Sequence, residues 1–506
     1  MSAGTSTEPG QPVHRPRTVE RWLASPWPWA VCVALGLAAR GVHLARGLSY
    51  WYDEAYLLLN VFQRDCASLL GRIDHNQVMP PLFLWLLRGV YLLGGGSEWV
   101  MRLPAAAAGV AALALMFPLA RRVAGRPGWV WAVCFVALSG NTLLHGTEVH
   151  PYTFDLLATE AILLSAVVVL GDASSPGTRR GGWLALWGLA LLGPWLSFPS
   201  VFGLGAASAA LLWANCKGAG RPAWLAWLLF NGLTAASGLA LWTLSARHLY
   251  YPGMMEAWGS QGWAGFPDWS RPGAALLWGL ARLNTVGQYA TDDMGIPMAI
   301  LAVVGFVALA RRSPAVAVCV AAPLVLATAA AYLGKYPFAD RTTLFAAPCV
   351  WLSAAVGVEV VRRLVLGRWP VVGLLVPAVL LAPGLMHLSK LLVVPRPNPA
   401  FREAFAFVED QRQAGDEVWA SHAEVFQVYR GPEAPVLEAG AVDRLGQVAR
   451  HHRVWMVSTL SPILKGPCVP EALQRVEEVG GHRVLRREFF GLEVVLYEPP
   501  VGGSTR

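Results

Sequence analysis

The chain has 506 residues, 55% of them hydrophobic and 14% charged, with a mean hydropathy of +0.44. Soluble domains carry roughly 25% charged residues, so water is excluded as the main solvent of most of this chain. The net charge of +8 sits on arginines scattered singly or in pairs between apolar runs, which argues against a basic face for nucleic acid and fits the positive-inside rule of membrane proteins.

In chain order, residues 1–22 are polar and carry Arg15, Arg17 and Arg21. The apolar run that follows lacks a small-residue cleavage site and reads as an uncleaved signal anchor behind a cytoplasmic basic tail. A spanning helix needs about 20 mostly apolar residues, so about eleven or twelve apolar segments fit before Lys390. Spans are expected near 27–44, 127–146, 152–170, 183–198, 200–214, 223–246, 296–311, 314–333, 342–360 and 370–390. Two stretches between 80 and 121, 81–94 and 103–120, have to share one net crossing. Several of the 23 tryptophans flank apolar runs, as expected of interfacial belts. Cys32, Cys134, Cys319 and Cys349 fall inside apolar runs, which argues against a disulfide framework.

Five basic clusters test the orientation: Arg121, Arg122 and Arg126; Arg179 and Arg180; Lys217 and Arg221; Arg311 and Arg312; Arg362, Arg363 and Arg368. With one crossing between Pro80 and Arg121, all five are cytoplasmic. The outer face then carries 45–80, the Thr147–Tyr152 corner, 247–295, Lys335–Arg341 and the C-terminal segment. That segment, 395–506, has ordinary soluble composition. Glu417–Ser421, Val454–Thr459 and Arg487–Glu498 read as strands, and Phe401–Gln413 and Val442–His451 as helices, giving a small extracytoplasmic α/β domain. The expected organisation is a tail, 1–22; a multi-span domain, 23–394, with outer loops 45–80 and 247–295; and the domain 395–506. The expected location is the plasma (inner) membrane.

Several polar residues on the expected outer face could carry chemistry. Asp53 and Glu54 stand among aromatics just beyond the first span, where ionisable groups are costly unless solvated or used. Read alone, they fit two carboxylates in a wet loop. His75 precedes Pro80 and Pro81, whose helix-start role explains them structurally. Arg102 opens Arg102-Leu103-Pro104 and could equally snorkel at the interface. Glu148, His150, Tyr152 and Asp155 stand at a junction of two spans, where capping is an alternative. Lys335 and Arg341 flank a helix start, a place suited to an anion, with interfacial anchoring as the competing account. Tyr250 and Tyr251, in the long outer loop, could touch a lipid or sugar or simply sit at the interface.

The Asp53-Glu54 pair after the first span, the Pro80-Pro81 helix start and Arg102-Leu103-Pro104-Ala105, in that order, resemble the GT-C superfamily of glycosyltransferases. The similarity is to the branch of protein O-mannosyltransferases and the lipid A aminoarabinose transferase. It covers about the first 160 residues, and the layout agrees more loosely to about residue 390. The Glu148–Asp155 corner departs from the family, showing neither its arginine-rich nor its Leu-Asp form. The resemblance implies a polytopic α-helical membrane protein with GT-C-like spans and a C-terminal α/β domain, which moves a sugar from a polyprenyl-phosphate carrier by inverting direct displacement. On this reading Asp53 deprotonates the acceptor and Glu54 supports it. Lys335, Arg341 and Arg102 meet the donor phosphate, and His75, Glu148, His150 and Tyr152 line the acceptor cavity.

No cofactor is implied with certainty; carboxylates and histidines converge, so a divalent cation stays open, with no spacing that specifies its site. The expected partners are the lipid-linked sugar, a glycan, lipid or protein acceptor, and the bilayer. Two alternatives stand beside this reading: a lipid or sugar transporter or flippase, which would carry charge near mid-membrane in two related halves, and a non-catalytic membrane sensor or scaffold. The sequence shows no such internal repeat.

Overall fold

The computed structural model describes residues 27–500 apart from 172–174, 219, 250, 260–264, 367–371, 394–397 and 461–467. The expected tail 1–22, Tyr250 and the boundary at 394–395 lie outside the described residues. The first part is a helical bundle: α1 Trp27–Ala45, α2 Tyr52–Gln63, α3 Pro81–Gly94, α4 Glu98–Val123, α5 Trp129–Leu138, α6 Gly140–His145, α7 Tyr152–Leu170, α8 Pro176–Leu196, α9 Ser200–Asn215, α10 Arg221–Leu241, α11 Pro252–Gly259, α12 Pro272–Ala290, α13 Gly295–Arg312, α14 Pro314–Tyr332, α15 Ala347–Leu366 and α16 Val372–Val393. Among the described residues, six helices are long and apolar enough to cross a membrane: α4, α7, α10 with its extension to Leu249, α13, α14, and Asp340–Val365, which includes most of α15. Shorter apolar helices accompany them at Trp29–Ala45, Pro81–Gly94, Trp129–Leu138, Ser200–Asn215 and Ala378–Val393. The chain is an integral membrane protein.

Small residues bring these helices together, as is common where lipid removes the usual hydrophobic drive between helices. A Cβ on Gly305 of α13 would stand 1.8 Å from the Ser353 carbonyl of α15, and one on Gly357 would stand 2.0 Å from the Leu301 carbonyl. Either alanine would force the two backbones apart. Along α4 and α7, the Thr153 hydroxyl donates to the Ala105 carbonyl at 2.9 Å.

The two apolar helices between Pro80 and Arg121 differ in length and direction. Helix α3 has 14 residues, about 21 Å of rise against a hydrocarbon core of about 30 Å. Pro80, at its start, shares a cavity with Asp53. Just beyond its end, the Gly96 carbonyl accepts from the Tyr50 hydroxyl at 3.0 Å. Both ends therefore return to the level of residues 50–53. Helix α4, with 26 residues and about 39 Å of rise, leads away to Arg121 by itself.

At the far end of α4, Arg121, Arg122 and Arg312 line one cleft with Ser175 and Thr178, and Arg179 lines another with Gly218 and Gly220. A guanidinium nitrogen of Arg312 donates to the Val123 carbonyl. Four of the five basic clusters thus meet at the end of the bundle opposite Asp53.

The C-terminal unit contains α17 Phe401–Gln411, β1 Glu417–Ala420, α18 Ala423–Arg430, α19 Val442–Ala449, β2 Val454–Thr459, α20 Cys468–Glu478, β3 His482–Phe489 and β4 Leu492–Glu498. Its sheet runs β1-β2-β4-β3, with β1 and β2 parallel and the other pairs antiparallel. The single strand expected over 487–498 is instead the second half of a hairpin. Gly491, at φ +71°, supplies the left-handed turn residue that breaks the run. Every residue of β2 is buried, whereas β3 is an exposed edge whose Arg483, Arg486 and Arg487 discourage pairing with another chain.

This unit is fastened to the start of the bundle. Phe405, Val425 and Phe426 cluster with Ala55 of α2. The Tyr429 hydroxyl accepts from the Tyr50 amide at 2.8 Å and donates to Glu98 at 2.9 Å; Arg402 also reaches Glu98, at 2.9 Å. Ser49 donates to Glu403 at 3.0 Å.

Candidate functional site

A cavity of about 310 Å³ lies against the first turn of α2. Its walls come from six stretches of chain: Asp53, residues 76–80, residues 150–155, Phe198 and Pro199, residues 242–258, and residues 335–342. The side toward α10 is apolar, with Trp242, Ala246, Leu249, Met254 and Trp258. Here α10 ends in a π turn at Trp242–Ala246, an irregularity frequent at functional sites. The opposite side carries Asp53, His150, Asp155, Lys335 and Arg341.

Asp53 is the hub of that polar side. Its Oδ2 meets Arg341 Nη1 at 2.7 Å and His150 Nε2 at 3.5 Å, and its Oδ1 accepts from the Gln77 amide at 2.9 Å. Burial disfavours its charge, but the His150 ring, the Arg341 guanidinium and the Gln77 amide outweigh burial and hold the carboxyl below its usual range. Burial pushes the His150 imidazole down, toward its neutral form. Arg341 also stands over the Tyr152 ring, 5.6 Å from its centroid.

Left-handed backbone at non-glycine residues shapes two of the walls. His75 (φ 60°) and Asn76 (φ 54°) form a turn that presents Gln77 to Asp53, and Asp340 (φ 39°) immediately precedes Arg341. Such conformations are uncommon for residues with a Cβ and cluster at functional sites. The turn is also pinned from outside, because the Tyr251 hydroxyl donates to Asn76 at 2.5 Å while Arg72 stacks on the Tyr251 ring at 3.9 Å.

The model of the dolichyl-phosphate-mannose-protein mannosyltransferase family matches residues 78–242, which begin after Asp53. No curated protein matches the sequence. Among solved structures, ArnT from Cupriavidus metallidurans in the apo state is 12% identical with a TM-score of 0.60, over 92% of this chain and 97% of that one. The same protein bound to undecaprenyl phosphate is 14% identical with a TM-score of 0.56, over 93% and 98%. The Archaeoglobus fulgidus oligosaccharyltransferase in complex with Zn and sulfate is 13% identical with a TM-score of 0.55, over 93% and 73%. The chain has the GT-C fold.

Within this GT-C fold, Asp53, His150, Tyr152, Lys335 and Arg341 converge on one cavity. Five other expected site residues do not. Glu54 is fully buried and points into the protein, because consecutive helical residues diverge by about 100°. It accepts from Arg102 at 2.7 and 2.9 Å, from the Val149 amide at 2.8 Å and from the Trp51 amide at 2.9 Å. Arg102, expected at a donor phosphate, is consumed by Glu54 and by the Leu48 and Ser49 carbonyls. The pair is a brace that ties the 147–150 corner to α2.

His75 turns away from the cavity, stacking on Tyr56 and reaching Glu424 of the C-terminal unit at 3.5 Å. Glu148 lies behind the wall, 2.8 Å from the His145 ring, which also contacts the Tyr289 hydroxyl. Tyr251 acts on the turn at Asn76 and lies outside the lining.

The cavity also uses Gln77, Tyr336 and Thr342, which the sequence motifs did not point to, and Asp155, which they placed at the span junction without a separate role. Asp155 carried a legible signal, since an acid inside an apolar helix is costly unless used. Gln77 carried none; its role depends on the turn before it. Among the described residues no group of three or more His, Cys, Asp or Glu is placed to hold a metal ion.

Proposed function

We propose that this protein is a membrane glycosyltransferase that moves a sugar from a polyprenyl-phosphate carrier to an acceptor on the extracytoplasmic face. One observation carries the reading: a carboxylate, Asp53, and two cationic side chains, Lys335 and Arg341, line a single cavity that also has an apolar stretch of wall with Trp242, Leu249, Met254 and Trp258. A lipid-linked sugar phosphate needs all three kinds of surface. Its tail is apolar, its phosphate is an anion, and the nucleophile that attacks its anomeric carbon has to be oriented and stripped of a proton. ArnT in the undecaprenyl phosphate complex, which shares the fold, binds such a carrier.

In the proposed reaction the acceptor hydroxyl or amine lies against Asp53, and Lys335 and Arg341 stabilise charge on the departing phosphate oxygen. The new bond forms at the anomeric carbon as the carbon–phosphate oxygen bond breaks, with inversion. The arginine-lined clefts at the far end of the bundle support the orientation, because positive loops stay cytoplasmic and the cavity then opens on the other side. Gln77 and the Glu54–Arg102 brace position Asp53 without meeting substrate.

The deciding experiment incubates the purified protein in liposomes with a panel of radiolabelled polyprenyl-phosphate sugars and an envelope extract as acceptor. Release of polyprenyl phosphate with transfer of label from at least one donor is expected. Carrier translocation without cleavage, or no consumption of any donor, would reject the proposal. Mass spectrometry of envelope glycans with and without the chain then identifies the product.

A further inference from the structure

His150 is the least accounted-for polar group at the site. Its side chain is 1% exposed, and neither ring nitrogen has a hydrogen-bond partner. Buried polar atoms are nearly always paired, so two orphans on one ring at a cavity wall call for an explanation. Its Nε2 stands 3.5 Å from Asp53 Oδ2, and the Asp53 side chain is 13% exposed. The ring is also held firmly. Glu54 grips the preceding Val149 amide at 2.8 Å, and the Tyr152 ring lies tilted against the imidazole with centroids 5.3 Å apart.

We infer that His150 is the proton sink behind Asp53, receiving through that carboxylate the proton the acceptor loses during transfer. This rests on the glycosyl-transfer reading and deepens it. A carboxylate pinned by Arg341 and Gln77 is a good hydrogen-bond acceptor but a weak base. A neutral imidazole beside it supplies the missing proton affinity, because the imidazolium that forms would face the restored carboxylate. The acceptor oxygen bonds to the anomeric carbon, and the electron pair of the broken carbon–oxygen bond leaves with the polyprenyl phosphate. The acceptor proton passes to Asp53 Oδ2 and on to His150 Nε2, from which water removes it before the next turnover. The charged and titratable groups facing His150 are Asp53 and Glu54 of α2, Arg341 of the 340–346 turn, and Glu148 of its own corner. Arg341 opposes protonation and the three carboxylates favour it.

Azide tests the idea without a known acceptor, since as an anion it attacks carbon with no proton to lose. The donor used is the one the wild-type protein consumes in the panel above; if none is consumed, the glycosyl-transfer reading itself has failed. In His150→Ala and His150→Gln, transfer to water or hydroxyl acceptors should fall about 100-fold or more, with KM for the donor unchanged and the acid limb of the pH profile flattened. Glycosyl azide formation should stay within about threefold of wild type in both. Equal losses with azide and hydroxyl nucleophiles would make His150 merely structural and overturn the inference. So would hydroxyl transfer that retains the wild-type rate and acid limb.

Discussion

The two ends of the helical bundle use positive charge differently. At the cavity end, Arg341 is held 2.7 Å from Asp53 within a wall that also contains His150 and Asp155. At the other end, Arg121, Arg122 and Arg312 line an open cleft with Ser175 and Thr178, and no carboxylate is among its described lining residues. A cation paired inside a cavity has been positioned against a specific group, whereas cations spread around an open rim meet no particular partner group. Composition alone sees forty basic residues; the difference lies in what each one faces.

The largest effect that could break this contrast is at Asp53. Asp53→Asn is expected to lower transfer at least about a hundredfold with membrane insertion and thermal stability unchanged, measured in the liposome assay and by unfolding. A fully active variant would remove the carboxylate from the chemistry. Its neighbour should behave oppositely: Glu54→Ala leaves Arg102 buried and unpaired, and should destabilise the fold by about 3–5 kcal/mol. Denaturant unfolding of the two variants side by side checks whether one carboxylate serves the cavity and the other the frame.

Arg341→Ala should raise KM for the lipid donor more than KM for the acceptor, and the reverse ranking would place Arg341 on the acceptor side. A smaller effect concerns the seam with the C-terminal unit, where His422 stacks on Tyr52 at 5.1 Å and burial pushes its imidazole down to about 4. A histidine whose folded value is depressed favours the neutral form, so its stabilising contribution is present above its ordinary value near 6.5 and is lost as pH falls toward about 4. Melting temperature against pH should show that loss, and His422→Gln should flatten it. The smallest effect belongs to the far cleft, where Arg121→Gln with Arg122→Gln should leave turnover within about twofold, as read by the same assay.

Much of the membrane architecture was legible because apolar runs report burial in lipid directly. The α3 segment was ambiguous for the same reason: hydropathy measures the solvent of a helix, not its direction, and the Tyr50–Gly96 contact together with the cavity shared by Pro80 and Asp53 brings both its ends near residues 50–53. At the site, residue types were legible and partners were not. Asp53 and Glu54 are equivalent as letters, and helix geometry sends one to the cavity and the other to Arg102. His75 looked like a cavity residue by its place before Pro80, yet the left-handed turn at His75 and Asn76 hands that position to Gln77. The hairpin at Gly491 was read as one strand because its two arms carry similar strand-forming residues.

The seam between α2 and the C-terminal unit bears on how the protein is made. Tyr50, Ser49 and Glu98 emerge from the ribosome early, whereas Tyr429, Glu403 and Arg402, which hold them, are translated between 304 and 379 residues later. A chain still in synthesis would already contain every cavity side chain, with the helix bearing Asp53 lacking its clamp. Completion of translation is thus what completes the frame around the helix that carries Asp53.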